Sequence, residues 1–266
     1  MKRGKIVACI LVVLFSLTST SFAAFSASGL DEGRFNDFKG TIDGKYKIRM
    51  LLYAANNEIV GNYFYELYES KIKLTGRYEG KLITLFEYDD QGNQTARFSG
   101  EIIDAYGRMK GVWQNLEDNA SYDFELKMLG TFPGRPDNVY IDAGARSTDE
   151  VERFAAKLKN DILSRNKNEV AAEVAYPIIV YAKGQKVTIN SEQEFIEQFG
   201  EIFYPEYVQA IAKCFPVNMH SSYRGIMFGD KGQIWLNYLI FDKSSVKLMV
   251  TGINNHPEDV TYFLKD

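Results

Sequence analysis

Cysteine is almost missing from this chain of 266 residues. There are two, and Cys9 lies in an N-terminal apolar run, which leaves Cys214 without a mate in the rest of the sequence. A single thiol forms no internal disulfide, so the fold has to rest on packed cores rather than on staples. Within AIAKCFPV, Cys214 reads as a small buried apolar residue at a helix end.

Histidine is as scarce. His220, in VNMHSSYRG, and His256, in GINNHPEDV, are the only two, and each reads as a residue of a surface loop. Ser221 and Ser222 adjoin His220, but sequence adjacency is not triad geometry. There is no CxxC, no HExxH and no histidine cluster, so no metal site is expected. Glycines stand singly at turns and on strands and form no phosphate-binding loop; no cofactor is expected.

Long apolar runs are lacking too. After Phe22 none reaches the length that crossing a bilayer needs, so no membrane span is expected. No basic block and no acidic tail stand out. Phosphate recognition needs clustered Lys and Arg, so no nucleic-acid partner is expected.

What is present begins at the N-terminus. Lys2, Arg3 and Lys5 precede the apolar run IVACILVVLF, and Ser21-Phe22-Ala23 puts small residues where a leader is cut. That order predicts a signal peptide over 1–23, cleaved after Ala23, and a periplasmic or secreted protein. With 31 basic and 35 acidic side chains overall, losing the three leader cations leaves the mature chain near −7.

Two rhythms divide the remainder. Residues 31–130 alternate with a period of two. In YKIRMLL, Tyr46, Ile48, Met50 and Leu52 point one way, and Lys47 and Arg49 point to water. KIKLTGRY, LITLFEY, ARFSGEII, RMKGVWQ and YDFELKM repeat the pattern, and YEGK, DDQGN and AYGR supply turns. An all-β antiparallel meander is predicted, as a curled sheet or an up-and-down barrel. Gly61-x-Tyr63, Gly76-x-Tyr78 and Gly111-x-Trp113 suggest glycines that make room for a ring from the next strand. Residues 131–148, rich in glycine with two prolines, read as a linker.

From 149 to 266 helices come first. Ser147/Glu150 and Ser191/Glu194 have capping-box spacing, followed by apolar stripes such as Val151, Phe154, Ala155, Leu158 and Ile162. PIIVYAKGQKVTI reads as a hairpin, and SYRGIMFGD, GQIWLNYLIF and SVKLMVTGI read as long strands. The pattern predicts an α+β layer.

The order helix, short helix, Tyr-Pro, hairpin, two helices, three strands is carried by FAAKLKNDILSRNKNEVAAEVAYPIIVY, INSEQEFIEQFGEIF and RGIMFGDKGQIWLN. It resembles the NTF2-like, or cystatin-like, α+β cone. The resemblance implies a curved sheet wrapped around helices, with a pocket at the cone's mouth in many members. Those members include enzymes, carriers and interaction modules, so the fold alone does not choose among them. No His–Asp or Tyr–Asp pair aligns here. The strand-rich half resembles β-sheet modules of exported bacterial proteins, with the Gly-x-aromatic strands as its mark.

Both faces of QIWLNYLIF are apolar, so the face without helices needs a cover: a domain, a second copy through this sheet, or a ligand. Trp235 and Asn237, with Arg224, are the candidate ligand-binding residues. YDDQGNQ at 88–94 reads as a polar turn rather than a calcium loop, and the tyrosines of GNYFYELYES as cross-strand packing. Together these features predict an exported, non-enzymatic binding protein for a protein or cell-envelope glycan, inhibitor-like in action. The alternative is a small-molecule carrier or enzyme using the cone.

Overall fold

The computed structural model describes residues 29–104, 107–242 and 245–265. The expected signal peptide lies outside these residues, as does part of the AYGR turn.

Eight strands form a closed antiparallel barrel: β1 (Phe35–Ile42), β2 (Tyr46–Ala55), β3 (Glu58–Tyr65), β4 (Ile72–Glu79), β5 (Leu82–Tyr88), β6 (Gln94–Ile102), β7 (Met109–Asn115) and β8 (Ser121–Phe132). Each pairs with the next, and β1 closes the ring on β8. Closure leaves the barrel no free edge to pair with another chain. The alternation of the sequence becomes inside and outside. Phe38, Met50, Leu52, Leu74, Leu85 and Phe98 fill the interior, fully buried.

One carboxylate shares that interior. Glu87 accepts from the Tyr63 hydroxyl (2.5 Å), the Trp113 indole Nε1 (3.3 Å) and the Thr95 hydroxyl (2.7 Å). Three donors satisfy this half-buried group. Tyr63 and Trp113 thus serve barrel packing.

The glycines have a different purpose from the one expected. A Cβ on Gly61, Gly76 or Gly111 would sit 2.0, 2.0 or 2.1 Å from a backbone oxygen of the adjoining strand. They make room for the neighbouring main chain where the sheet coils tightly, not for a ring.

Residues 131–148 are ordered and packed. Arg135 bridges to Asn138, a single 3-10 turn covers Ile141–Ala143, and Val139, Tyr140 and Ala145 are buried. The helix-and-sheet unit follows: α1 (Thr148–Leu163), α2 (Lys167–Ala172), β9 (Ile178–Ala182), β10 (Gln185–Ile189), α3 (Glu192–Ile202), α4 (Pro205–Ala212), β11 (His220–Ser222), β12 (Gly225–Phe228), β13 (Ile234–Asp242), β14 (Ser245–Ile253) and α5 (Pro257–Leu264). Ser147 and Ser191 cap α1 and α3 by accepting from the Glu150 and Glu194 amides. α5 was not expected; His256 caps it through Nδ1, and Pro257 opens its first turn.

β11 to β14 form a four-stranded sheet, and β9 and β10 a separate hairpin. Phe195, Phe203, Tyr207 and Phe228, each no more than 1% exposed, fill the space between helices and sheet. The same core takes in Phe35, Leu51 and Phe132 from the outer surface of the barrel. No strand passes from one sheet into the other. The two units meet through side chains, and a cleft opens along that junction.

Candidate functional site

The barrel side of the cleft is set by strand register. Phe38 and Ile42 face inward on β1, so Asp37, Lys39 and Thr41 face outward. Lys39 lies directly opposite Arg49 on β2 and directly opposite Lys127 on β8. Three cations therefore stand in one row across three neighbouring strands, each about 4.8 Å from the next strand. Like charges directly opposite one another destabilise a sheet. Lys47, two residues before Arg49, extends the patch. Lys39, Lys47 and Lys127 make no ion pair among the described residues.

The cleft these side chains wall has a volume of about 830 Å³. Eight cationic side chains and four carboxylates line it, in a chain whose net charge is −4. On the far side, Lys231 donates to the carbonyls of Tyr262 (2.8 Å) and Lys265 (2.7 Å), and Lys213 donates to that of Leu264 (3.4 Å). Those two lysines bind the exposed carbonyls at the end of α5. The barrel lysines have no such employment.

Arg49 forms the floor. It is 7% exposed, donates through Nε to Glu66 (3.1 Å) and through Nη2 to Asp230, and lies 5.3 Å from the centre of the Phe215 ring. Phe215 in turn meets Phe64 edge-on at 5.2 Å. The sequence placed Arg49 in water. The second unit covers it instead.

Behind Arg49 is a smaller chamber of about 290 Å³. Phe64, Leu129, Phe215, Val217, Met219 and Met227 give it apolar walls, with Asp37, Asn218 and His220 among them. Burial pushes the Asp37 carboxyl up to about 7; Arg49 opposes the rise, and Asp230 adds to it. No described residue donates a hydrogen bond to that carboxyl. His220 is not on a surface loop. It lies half-buried on β11, edge-on to Phe132 at 5.0 Å, and burial holds its pKa below the usual value. The chamber therefore favours the neutral form of the imidazole and opposes ionisation of the carboxyl.

A buried network fastens the two units beside the chamber. Glu152 accepts from Lys71 on the barrel (2.5 Å), from the Tyr140 hydroxyl (3.2 Å) and from the Asn218 amide (3.2 Å). The Asn218 side chain reaches Asn62 on β3 (2.6 Å), and Tyr140 accepts from the Met219 amide (3.1 Å).

The residues expected to bind a ligand lie elsewhere. Trp235 and Asn237 are on the face of β13 opposite the buried Ile234 and Leu236. The Asn237 side-chain amide donates to Thr251 (2.7 Å), and its carboxamide packs on Gly225. Arg224 is exposed and donates to the adjacent Tyr223 hydroxyl. None of the three lines either space at the junction. The polar turn expected at 88–94 is closed by its own bonds: Asp89 accepts from the backbone of Gln91 and Asn93. Among the described residues no group of three or more His, Cys, Asp or Glu could hold a metal, and no helix is long and apolar enough to cross a membrane.

Comparison with known proteins adds no identity: no family model matches the chain, and no curated protein matches it.

Proposed function

We propose that this is an exported binding protein that captures an anionic ligand in the cleft between the barrel and the helix-and-sheet unit. The row Lys39–Arg49–Lys127 carries the reading. It costs the sheet repulsion, and among the described residues two of its three members, Lys39 and Lys127, make no ion pair, an arrangement that suits a bound anion. A small molecule, an acidic glycan or an acidic protein segment supplies that charge equally well.

The second unit is read as an NTF2-like cone from its order of elements. Its hollow is occupied by aromatic side chains, which favours binding at the junction over a ligand inside the cone. Exposed Ile240 and Phe241 on β13 support the further proposal that two copies pair through this sheet.

Calorimetric titration with pyrophosphate at low salt tests the anion reading. Lys39→Ala/Lys127→Ala should weaken binding about tenfold or more. Lys45→Ala, which removes an exposed lysine paired with Asp43 outside the cleft, should not. Equal affinity in all three proteins would refute the reading.

A further inference from the structure

The cleft and the chamber share three lining residues, Arg49, Phe215 and Asp230. One space is walled by cations; the adjoining one sets the apolar side chains of Phe64, Val217, Met219 and Met227 beside Asp37 and His220. A ligand charged at one end and apolar at the other would meet the cations with its head and Phe64, Val217, Met219 and Met227 with its body. A polyanion filling both would set its charge against Asp37 and Asp230 and strip water from charged groups without replacing their partners. Met219 and Met227 are unbranched and adaptable, which suits walls that close around an apolar body.

Asp37 makes this arrangement sensitive to protons. The groups facing it are Lys39 on its own strand, Arg49 on β2, Asp230 in the turn after β12, His220 on β11 and the buried Tyr140 hydroxyl. Of these, Arg49 and Lys39 favour its ionised form, and Asp230 and burial oppose it. An apolar body in the chamber would cut its carboxyl off from solvent and favour the neutral acid.

We propose that the cleft binds a small amphiphilic anion, its charged head on the lysine wall and its apolar body in the chamber behind Arg49, and that Asp37 takes up a proton as the body enters. This rests on the reading of the cleft as an anion site. Because a ligand that raises proton affinity is itself bound more tightly by the protonated protein, affinity must fall as pH rises above neutrality.

Decyl sulfate below its micelle concentration is a suitable probe, since its head does not titrate near neutrality. For the wild-type protein its Kd should be roughly fivefold or more weaker at about pH 8.5 than at about pH 6. Asp37→Asn should bind equally at both values, close to the wild-type protein at the lower pH. Met227→Trp, which fills the chamber, should lose about tenfold or more in decyl sulfate affinity and keep its pyrophosphate affinity. Leu129→Phe gives a second, milder filling if the tryptophan impairs folding, as judged by thermal melting. Undiminished decyl sulfate binding in a folded chamber-filling variant, or a pH dependence that survives in Asp37→Asn, overturns this proposal. In either case lysine-dependent pyrophosphate binding would leave the anion reading standing. Loss of lysine dependence for both probes would instead bring down the anion reading itself.

Discussion

Arg49, on barrel strand β2, and Asp230, in the turn between β12 and β13, are bonded guanidinium to carboxylate across the junction of the two units. The same guanidinium holds Glu66 on the barrel side. One nearly buried fork therefore joins the units and forms the wall between cleft and chamber.

Replacing Arg49 by Ala should destabilise the protein by about 2 kcal/mol, since two charge-assisted bonds are lost but both carboxylates keep some access to water. Arg49→Lys should recover only part of the loss, because an ammonium cannot hold two carboxylates with a planar fork. Urea unfolding measures both.

Glu152 is the buried acceptor for three donors, one of them from the barrel. Glu152→Ala should cost about 3 kcal/mol, since the Asn218 amide and the Tyr140 hydroxyl lose their acceptor and Lys71 loses its counter-charge. Trypsin digestion should then cut within residues 131–148 sooner than in the wild type, because that segment is held at this junction.

Asp37 predicts a pH slope in stability. Its folded pKa is raised from 3.8 to about 7, so between those values the folded state binds more protons than the unfolded one. Its contribution is complete below the unfolded value and is lost as pH rises toward 7, by up to about 1.4 kcal/mol per pH unit. Asp37→Asn should flatten this part of the stability profile, as followed by denaturant midpoints across the range.

Gly76 and Gly130 both lie on barrel strands, yet only one tolerates a methyl group. A Cβ on Gly76 would stand 2.0 Å from the Thr84 carbonyl oxygen, while one on Gly130 would meet nothing within 4 Å. Gly76→Ala should cost about 3 kcal/mol, and Gly130→Ala should stay within about 0.5 kcal/mol of the wild type. Thermal melting of the pair separates the two outcomes.

Trp235→Ala should lower stability by about 2 kcal/mol through lost apolar burial against Gly232 and Gly252. It should leave pyrophosphate affinity as it was, because Trp235 does not line the cleft. A parallel calorimetric titration decides whether the side chain has any part in binding.

Much of the secondary structure was legible because it is local. Alternation in YKIRMLL separates Ile48, Met50 and Leu52 from Lys47 and Arg49 whatever surrounds them. Ser147 and Ser191 announce helix starts through bonds made three residues away. α5 is not legible in the sequence because its cap is a histidine, outside the Ser, Thr, Asp and Asn that mark helix starts. The cleft escaped entirely. Its charges are spread over strands far apart in the chain, so Lys39 and Lys127 leave no basic block for a sequence scan to find.

Local chemistry alone was enough for strands in the first part of the chain, helices then strands in the second, and a fold without disulfide support. Those features follow from side-chain periodicity and backbone capping within a few residues. Closure of β1 on β8, the covering of Arg49 and His220, and the meeting of a lysine wall with a chamber lined by both apolar and titratable side chains were settled by tertiary structure. Each depends on the register of distant strands and on the docking of two surfaces, and contacts of that range arise only once the chain has folded.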